Sequence, residues 1–176
     1  MKLLLGSVAL LSLTVLATAE IEKTSVMTSN GMKLFWWPRL SIPHGWDRFT
    51  DVSHENGCNM LGPKGSTFDN APAVIYSRAF YLPSKKERGT VQQFIQEDLE
   101  EMKDGMPGAI VKEIAPTSTH ATKLRTFSVV KTGKTYEQVC YGMEGQYRIL
   151  FCVSAKSEAI LKKTLPVFQA TMAKYK

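Results

Sequence analysis

One segment of the 176-residue chain, Pro72 to Leu82, constrains the fold more than any other. Its residues are mainly β-branched, aromatic or otherwise apolar, in a nearly continuous run. Such a run is typical of a strand inside a sheet that other elements cover on at least one face. We therefore expect a sheet with this strand near its centre.

Two helical patterns accompany the strand patterns. Over residues 90–103, Thr90 and Gln93 form a capping box and apolar residues recur at helical spacing. Over residues 165–175, Thr164 is the candidate N-cap and Pro166 lies in the first turn, where its missing N–H costs nothing. A longer helix kinked at Pro166 is the alternative.

The order of these patterns indicates the fold class. Strands precede the first helix, and a block of strands separates it from the second, so the pattern predicts α+β with a largely antiparallel sheet. Residues 53–71 are rich in Gly, Pro and Asn and are predicted to be a loop with one short strand near residues 60–61. The other predicted strands are residues 32–37, 46–52, 109–114, 121–131, 135–141 and 146–155, the last two as a hairpin.

The N-terminus has the pattern of an export signal. Met1-Lys2 precedes an apolar run from Leu3 to Leu16, which ends in Ala17-Thr18-Ala19. The run is shorter than the roughly 20 apolar residues that a membrane-spanning helix needs. We expect cleavage after Ala19, leaving no stable membrane anchor, rather than a buried N-terminal helix. The predicted organisation is a signal peptide (1–19), a loose arm (20–31) and a single globular domain (32–176), in the periplasm or secreted.

The charge does not indicate a polyanion as partner. The chain has a formal net charge of +6, and its Lys and Arg residues are spread along the sequence rather than gathered into a stripe. We therefore predict no nucleic-acid partner. The basic excess is consistent with solubility or weak attraction to anionic surfaces.

Three cysteines, Cys58, Cys140 and Cys152, need an interpretation in an exported protein. The turn signals at residues 142–145 place Cys140 opposite Tyr147 or Arg148 in the hairpin. Cys140 and Cys152 are then about 13 Å out of step along the strands, too far for a disulfide. A wider loop would align them, but only at the cost of much of both strands. Both are expected to be small buried hydrophobes, while a bond from Cys58 to one of them remains open.

Five residues are candidates for binding: Trp36, Trp37, Trp46, His54 and Cys58. Adjacent tryptophans on a strand point to opposite faces. One of the first two therefore belongs to the core, and the other is either covered or part of a binding surface. The spacing of His54 and Cys58 suits metal ligands, but a structural zinc site needs four ligands. No metal and no cofactor is predicted.

The evidence for an enzyme in the sequence is weak. Ser77 lies in Tyr-Ser-Arg without the G-x-S-x-G elbow of hydrolases. The dense carboxylates of residues 97–104 are the expected solvated face of an amphipathic helix. No catalytic residue is predicted. The alternative is a small periplasmic hydrolase or ligand-binding enzyme that uses Ser77, His54 or the acidic helix.

The string Ile42-Pro43-His44-Gly45-Trp46 resembles the start of the PsbP-like superfamily. That group includes the extrinsic photosystem II protein, a Ran-binding import factor and bacterial relatives of the DcrB type. The order of elements agrees over about residues 32–175. The resemblance implies an αβα sandwich and a binding or assembly module. We therefore expect an exported, non-enzymatic adaptor that recognises a protein partner, similar to an immunity or assembly factor.

Overall fold

The computed structural model describes residues 21–28, 31–119 and 122–175. These residues form nine strands and four helices. The strands are β1 (Ile21–Thr28), β2 (Gly31–Pro38), β3 (Trp46–Arg48), β4 (Asn59–Pro63), β5 (Ala73–Tyr81), β6 (Ile110–Ser118), β7 (Lys123–Lys131), β8 (Thr135–Glu144) and β9 (Tyr147–Ala155). The helices are α1 (Thr50–Asn56), α2 (Lys85–Arg88), α3 (Val91–Gly105) and α4 (Glu158–Ala173).

All nine strands belong to one antiparallel sheet. The main path runs β1-β2-β5-β9-β8-β7-β6, and β3 pairs with β4 outside it. Two strands share one edge of β5: β4 pairs with residues 75–77, and β2 pairs at Ala79 through Trp36. The strong segment Pro72–Leu82 is thus an interior strand, as predicted.

Helices cover both faces of the sheet, which confirms the α+β prediction of a sheet flanked by helices. Phe94 and Ile95 of α3 pack on one face against a core that includes Val139 and Tyr141. On the other face, the α4 core contains Phe168, Met172, Leu61, Ile75, Ala79, Ile149, Phe151 and Val153. We call these the α3 face and the α4 face. The alternation of side chains along each strand supplies both cores.

Residues 20–31 were predicted to be a loose arm, but residues 21–28 form the first strand, β1. Ile21–Thr28 pairs with Gly31–Pro38 over eight residue pairs as a hairpin at the edge of the sheet. The polar residues of β1 suggested a loose arm, but an edge strand tolerates polar side chains because much of it faces water. The predicted signal peptide, residues 1–19, lies outside the described residues.

The segment after β3 also differs from the prediction. A strand was predicted over residues 46–52, but β3 ends at Arg48 and α1 begins at Thr50. The predicted loop 53–71 therefore starts inside α1, and it contains β4, which confirms the short strand near residues 60–61. A helix of two turns carries too few apolar positions to show a period.

The first long helix agrees closely with the sequence. The predicted helix over residues 90–103 is α3, and the capping box of Thr90 and Gln93 is formed at its start. The last helix was predicted to begin near Leu165, but α4 begins at Glu158 with Ser157 as its N-cap.

Pro166 is inside α4 rather than in its first turn. It is exposed, so the carbonyl that it leaves unpaired one turn earlier is accessible to water. This corresponds to the longer-helix alternative. Among the described residues, no helix is long and apolar enough to cross a membrane.

The hairpin of β8 and β9 has a register different from the predicted one. Cys140 pairs with Phe151, and Cys152 pairs with Val139. The two cysteines are therefore neighbours in the sheet rather than about 13 Å apart. They form no disulfide because Cys140 packs into the α4 core and Cys152 into the α3 core. All three cysteines, including Cys58, are free and buried.

Candidate functional site

The two adjacent tryptophans point to opposite faces of β2. Trp37 is only 3% exposed and stacks on His54 of α1, with ring centroids 5.9 Å apart. Trp36 is half-buried beside the α4 core and stacks on Tyr81, with centroids 5.5 Å apart. Trp37 is thus the covered member of the pair, and Trp36 is the one that reaches a surface.

The five candidate residues do not form one site. Trp36 and Trp46 both pack against the α4 core. Trp37 and His54 stack on the other side of the sheet, and Cys58 lines a cavity there. Burial raises the pKa of the Cys58 thiol to about 11, against the opposing charge of Arg78, so this thiol is protonated at neutral pH. The described residues contain no group of three or more His, Cys, Asp or Glu side chains that could hold a metal ion.

The groups of the hydrolase alternative also lie apart. Ser77 is fully buried among the α4-face residues of β5, and its hydroxyl donates a hydrogen bond of 2.8 Å to the carbonyl oxygen of Pro38. His54 stacks on Trp37 on the opposite side of the sheet. The acidic side chains of α3 are on that opposite side as well. General acid–base chemistry needs hydrogen-bond reach, which this arrangement does not give Ser77 and His54.

An aromatic strip runs along the α4 face, from the tip of the first hairpin onto the sheet. Tyr81 links Trp36 to Tyr147, with the Tyr81 and Tyr147 ring centroids 5.3 Å apart. Side chains alternate along a strand, so Leu34 and Met32 follow Trp36 on the same side of β2. The strip consists of Met27, Met32, Leu34, Trp36, Tyr81 and Tyr147. The ammonium group of Lys23 lies 5.8 Å from the centroid of the Trp36 ring.

Much of the aromatic strip is exposed. Met27 and Met32 are opposite each other near the hairpin tip and are 77% and 63% exposed. The hairpin is attached to β5 through the pair of Trp36 with Ala79, so its tip extends beyond the body of the sheet. A contiguous apolar surface of this kind is typical of an interaction site.

A charged cleft occupies the α3 face, between α3 and the neighbourhood of α1 and β4. It consists of one cavity of about 540 Å³ beside α3 and an adjoining one of about 340 Å³ beside Cys58. The two cavities share Tyr76, Arg78 and Glu137. Because these residues come from β5 and β8, with β9 between them, the sheet order brings them together.

Three acidic residues, Asp98, Glu101 and Glu137, line the charged cleft, and burial affects Asp98 and Glu137. The pKa of Asp98 is raised, mainly by burial, although the hydrogen bond from the Tyr141 hydroxyl, 2.6 Å long, opposes the rise. Burial also raises the pKa of Glu137, which Ser154 opposes by hydrogen bonding and the Asp98 charge reinforces. The two carboxyl groups are thus close enough to influence each other.

The sequence alone did not predict most residues of the aromatic strip or of the charged cleft. Tyr81 and Tyr147 are adjacent because β5 pairs with β9, and Arg78 and Glu137 share a cleft because β8 lies next to β9. A single sequence does not reveal that strand order. The one useful signal was the pair of adjacent tryptophans, which led to Trp36.

The fold resembles two solved structures weakly. Cyanobacterial PsbP from Synechocystis sp. PCC 6803 matches at a TM-score of 0.44 and 14% identity, over 95% of each chain. A protein of unknown function from Pseudomonas aeruginosa matches at a TM-score of 0.43 and 11% identity, over 86% of this chain and 94% of that one. No protein-family model and no curated protein matches the chain. These likenesses assign no function.

Proposed function

We propose that the protein is an exported, non-enzymatic binding module, periplasmic or secreted, that recognises a protein partner through the aromatic strip. The observation that carries this proposal is the continuity of exposed and half-buried apolar residues from the hairpin tip to Tyr147. The role would be that of an adaptor, similar to an immunity or assembly factor.

The chemistry of the strip favours a protein as partner. Aromatic residues and methionine are enriched where proteins bind each other, and aromatic anchors contribute much of the binding energy. Trp36 and Tyr81 present ring surface beside the Lys23 ammonium group, which combines apolar contact with one positive charge. The flexible Met27 and Met32 side chains adapt to a partner's surface.

Site-specific photo-crosslinking in the producing cell tests the proposal. A photoreactive phenylalanine analogue replaces Met32, which is 63% exposed on the strip. The matched control places the same analogue at Ile110, which is 62% exposed on β6 at the opposite edge of the sheet. We expect a discrete adduct with another protein from position 32 and none from position 110, identified by mass spectrometry.

A charge substitution separates specific contact from proximity. Leu34→Glu should abolish the adduct from position 32, because it buries a charge in the interface. Ile114→Glu, on β6, should leave the adduct unchanged. Equal adducts from both positions, an adduct only with a second copy of the chain, or no adduct at all would each overturn the proposal.

A further inference from the structure

The charged cleft on the α3 face is independent of the aromatic strip, which is on the other side of the sheet. Its larger cavity, about 540 Å³, is of the size that small ligands occupy in proteins. Its walls carry both polar and apolar groups.

Arg78 supplies a positive group, and its charge acts on Cys58 and Asp98, where it opposes the rise in the pKa of both groups. Within the part of the chain that the structure describes, its guanidinium group forms no ion pair and no hydrogen bond. It lies over the Phe80 ring, with its central carbon 4.6 Å from the ring centroid, which orients the planar group. By contrast, Arg125 and Arg148 each bind a glutamate. An oriented guanidinium with free donors is suited to a carboxylate.

Asp98, Glu101 and Glu137 supply the opposite charge in the same cavity, and Glu101 is the exposed one of the three. Glu137 is 8% exposed, and Asp98 is half-buried with one hydrogen bond from Tyr141. A carboxylate has about four acceptor positions, so both groups retain capacity for further donors. Since the two negative charges repel each other, a bound ammonium group would be stabilised between them.

The remaining wall is apolar. Phe80 and Leu150 come from the sheet, and Met102 and Met106 come from α3 and the turn after it. Methionine side chains adapt to an apolar group of varying shape. The cavity therefore combines one site for an anion, one for a cation, and an apolar surface.

We propose that the charged cleft binds a free α-amino acid with an apolar side chain. Its carboxylate pairs with Arg78, its ammonium group lies between Asp98 and Glu137, and its side chain packs on Phe80 and the methionines. A small zwitterion offers a negative group to Arg78 and a positive group to the Asp98–Glu137 pair. An anion alone is repelled by the carboxylates, and a cation alone is repelled by Arg78.

Titration of the isotope-labelled protein, followed by NMR of its backbone amides, tests this inference. The probe is L-phenylalanine, compared with phenethylamine, which lacks the carboxylate, and 3-phenylpropanoate, which lacks the ammonium group. We expect saturable shifts of the amides of Arg78, Phe80 and Asp98 with L-phenylalanine. Each analogue should bind at least about tenfold more weakly, since it loses one charged contact.

Two variants locate the ligand. Arg78→Met and Glu137→Gln should each weaken L-phenylalanine binding at least about tenfold. The matched control is Arg39→Met, because Arg39 is an exposed arginine that follows β2, pairs with Glu22 and lines neither cavity of the cleft. It should leave the affinity unchanged. The analogue series on the unmodified protein remains decisive if a cleft variant does not fold.

Three outcomes would overturn the inference. One is the absence of saturable shifts up to about 10 mM L-phenylalanine, an affinity too weak for a built site. Another is equal binding of either analogue, which would make the cleft a simple cation or anion site. The third is unchanged binding in the folded Arg78→Met variant.

Discussion

The Ser77 hydroxyl donates a hydrogen bond of 2.8 Å to the carbonyl oxygen of Pro38 inside the sheet. The side-chain amide of Asn59 donates a second one, 3.1 Å long, to the same oxygen. Pro38 ends β2 and Asn59 begins β4, so this oxygen joins the two strands where both meet β5. Ser77 thus has a structural partner at the junction that attaches the hairpin to the sheet.

Ser77→Ala should therefore reduce stability. We expect a loss of about 1 kcal/mol in the free energy of unfolding, because Asn59 still donates to the carbonyl oxygen. The measurement is urea denaturation. Ser128→Ala is the control, since Ser128 donates only a 3.5 Å bond on an exposed part of β7, and a change below about 0.5 kcal/mol is expected. Equal losses in the two variants would contradict the structural role.

Arg148 of β9 binds groups in both α2 and α3. Its guanidinium donates to the Glu97 carboxylate at 2.5 Å and to the carbonyl oxygen of Arg88 at 2.7 Å. The side chain of Arg148 is 11% exposed, whereas that of Arg125, which binds Glu113, is 34% exposed. The Arg148–Glu97 and Arg125–Glu113 pairs are thus chemically similar but differ in how deeply the arginine is buried.

We expect Arg148→Lys to cost about 1–3 kcal/mol of stability, because an ammonium group does not reproduce the fork of donors. Arg125→Lys, at the more exposed pair, should cost less than about 1 kcal/mol. Denaturant unfolding of both variants measures the difference. A larger loss in Arg125→Lys would contradict this ranking by depth.

The raised pKa of Asp98 predicts a dependence of stability on pH. Burial raises the pKa of Asp98 in the folded protein, so its contribution to stability is fully present below the unfolded pKa and is lost as pH rises through the folded pKa. Asp98→Asn does not titrate and retains an acceptor for Tyr141. Its stability relative to the original protein should therefore rise between about pH 3.5 and pH 7.

Glu158→Gln is the control with the opposite sign. The hydrogen bond and charge of Lys162 lower the pKa of Glu158, so its contribution is present above the unfolded pKa and is lost as pH falls. The stability of this variant relative to the original protein should fall slightly over the same pH range. Urea denaturation across the range measures both trends, and trends of the same sign would contradict the assignment.

Local signals explain which elements could be predicted. The sequence of α3 carries a capping box at Thr90 and a clear apolar period, and both appear in the structure. Helix α1 is held by its neighbours rather than by its own pattern: the backbone N–H of Met60 in β4 donates to the Ser53 hydroxyl at 3.0 Å, and α1 packs beside β4. Short elements of this kind depend on tertiary contacts that one sequence does not show.

Glycine explains the error in the last hairpin. Gly142 suggested a turn, but it lies inside β8, where a Cβ atom would be 2.4 Å from Leu124. The turn is at Gly145, with φ of +54°. A glycine required by packing and a glycine required by backbone conformation look the same in a sequence. Strand order is also not visible in a single sequence. The sequence therefore pointed to the candidate tryptophans but not to the aromatic and charged residues that strand order brings beside them.

Gly57 combines both requirements at the end of α1, next to the base of the hairpin. Its φ is +63°, and a Cβ atom would lie 2.5 Å from the Phe35 ring. Gly133 has a similar φ of +74° but no atom within 4 Å of that position. Gly133→Ala should therefore cost about 1–2 kcal/mol for the left-handed backbone alone. Gly57→Ala should cost about 1–3 kcal/mol more in urea denaturation, because the Phe35 ring must move. Equal losses would show that the contact between α1 and β2 at Phe35 does not constrain the hairpin that carries the aromatic strip.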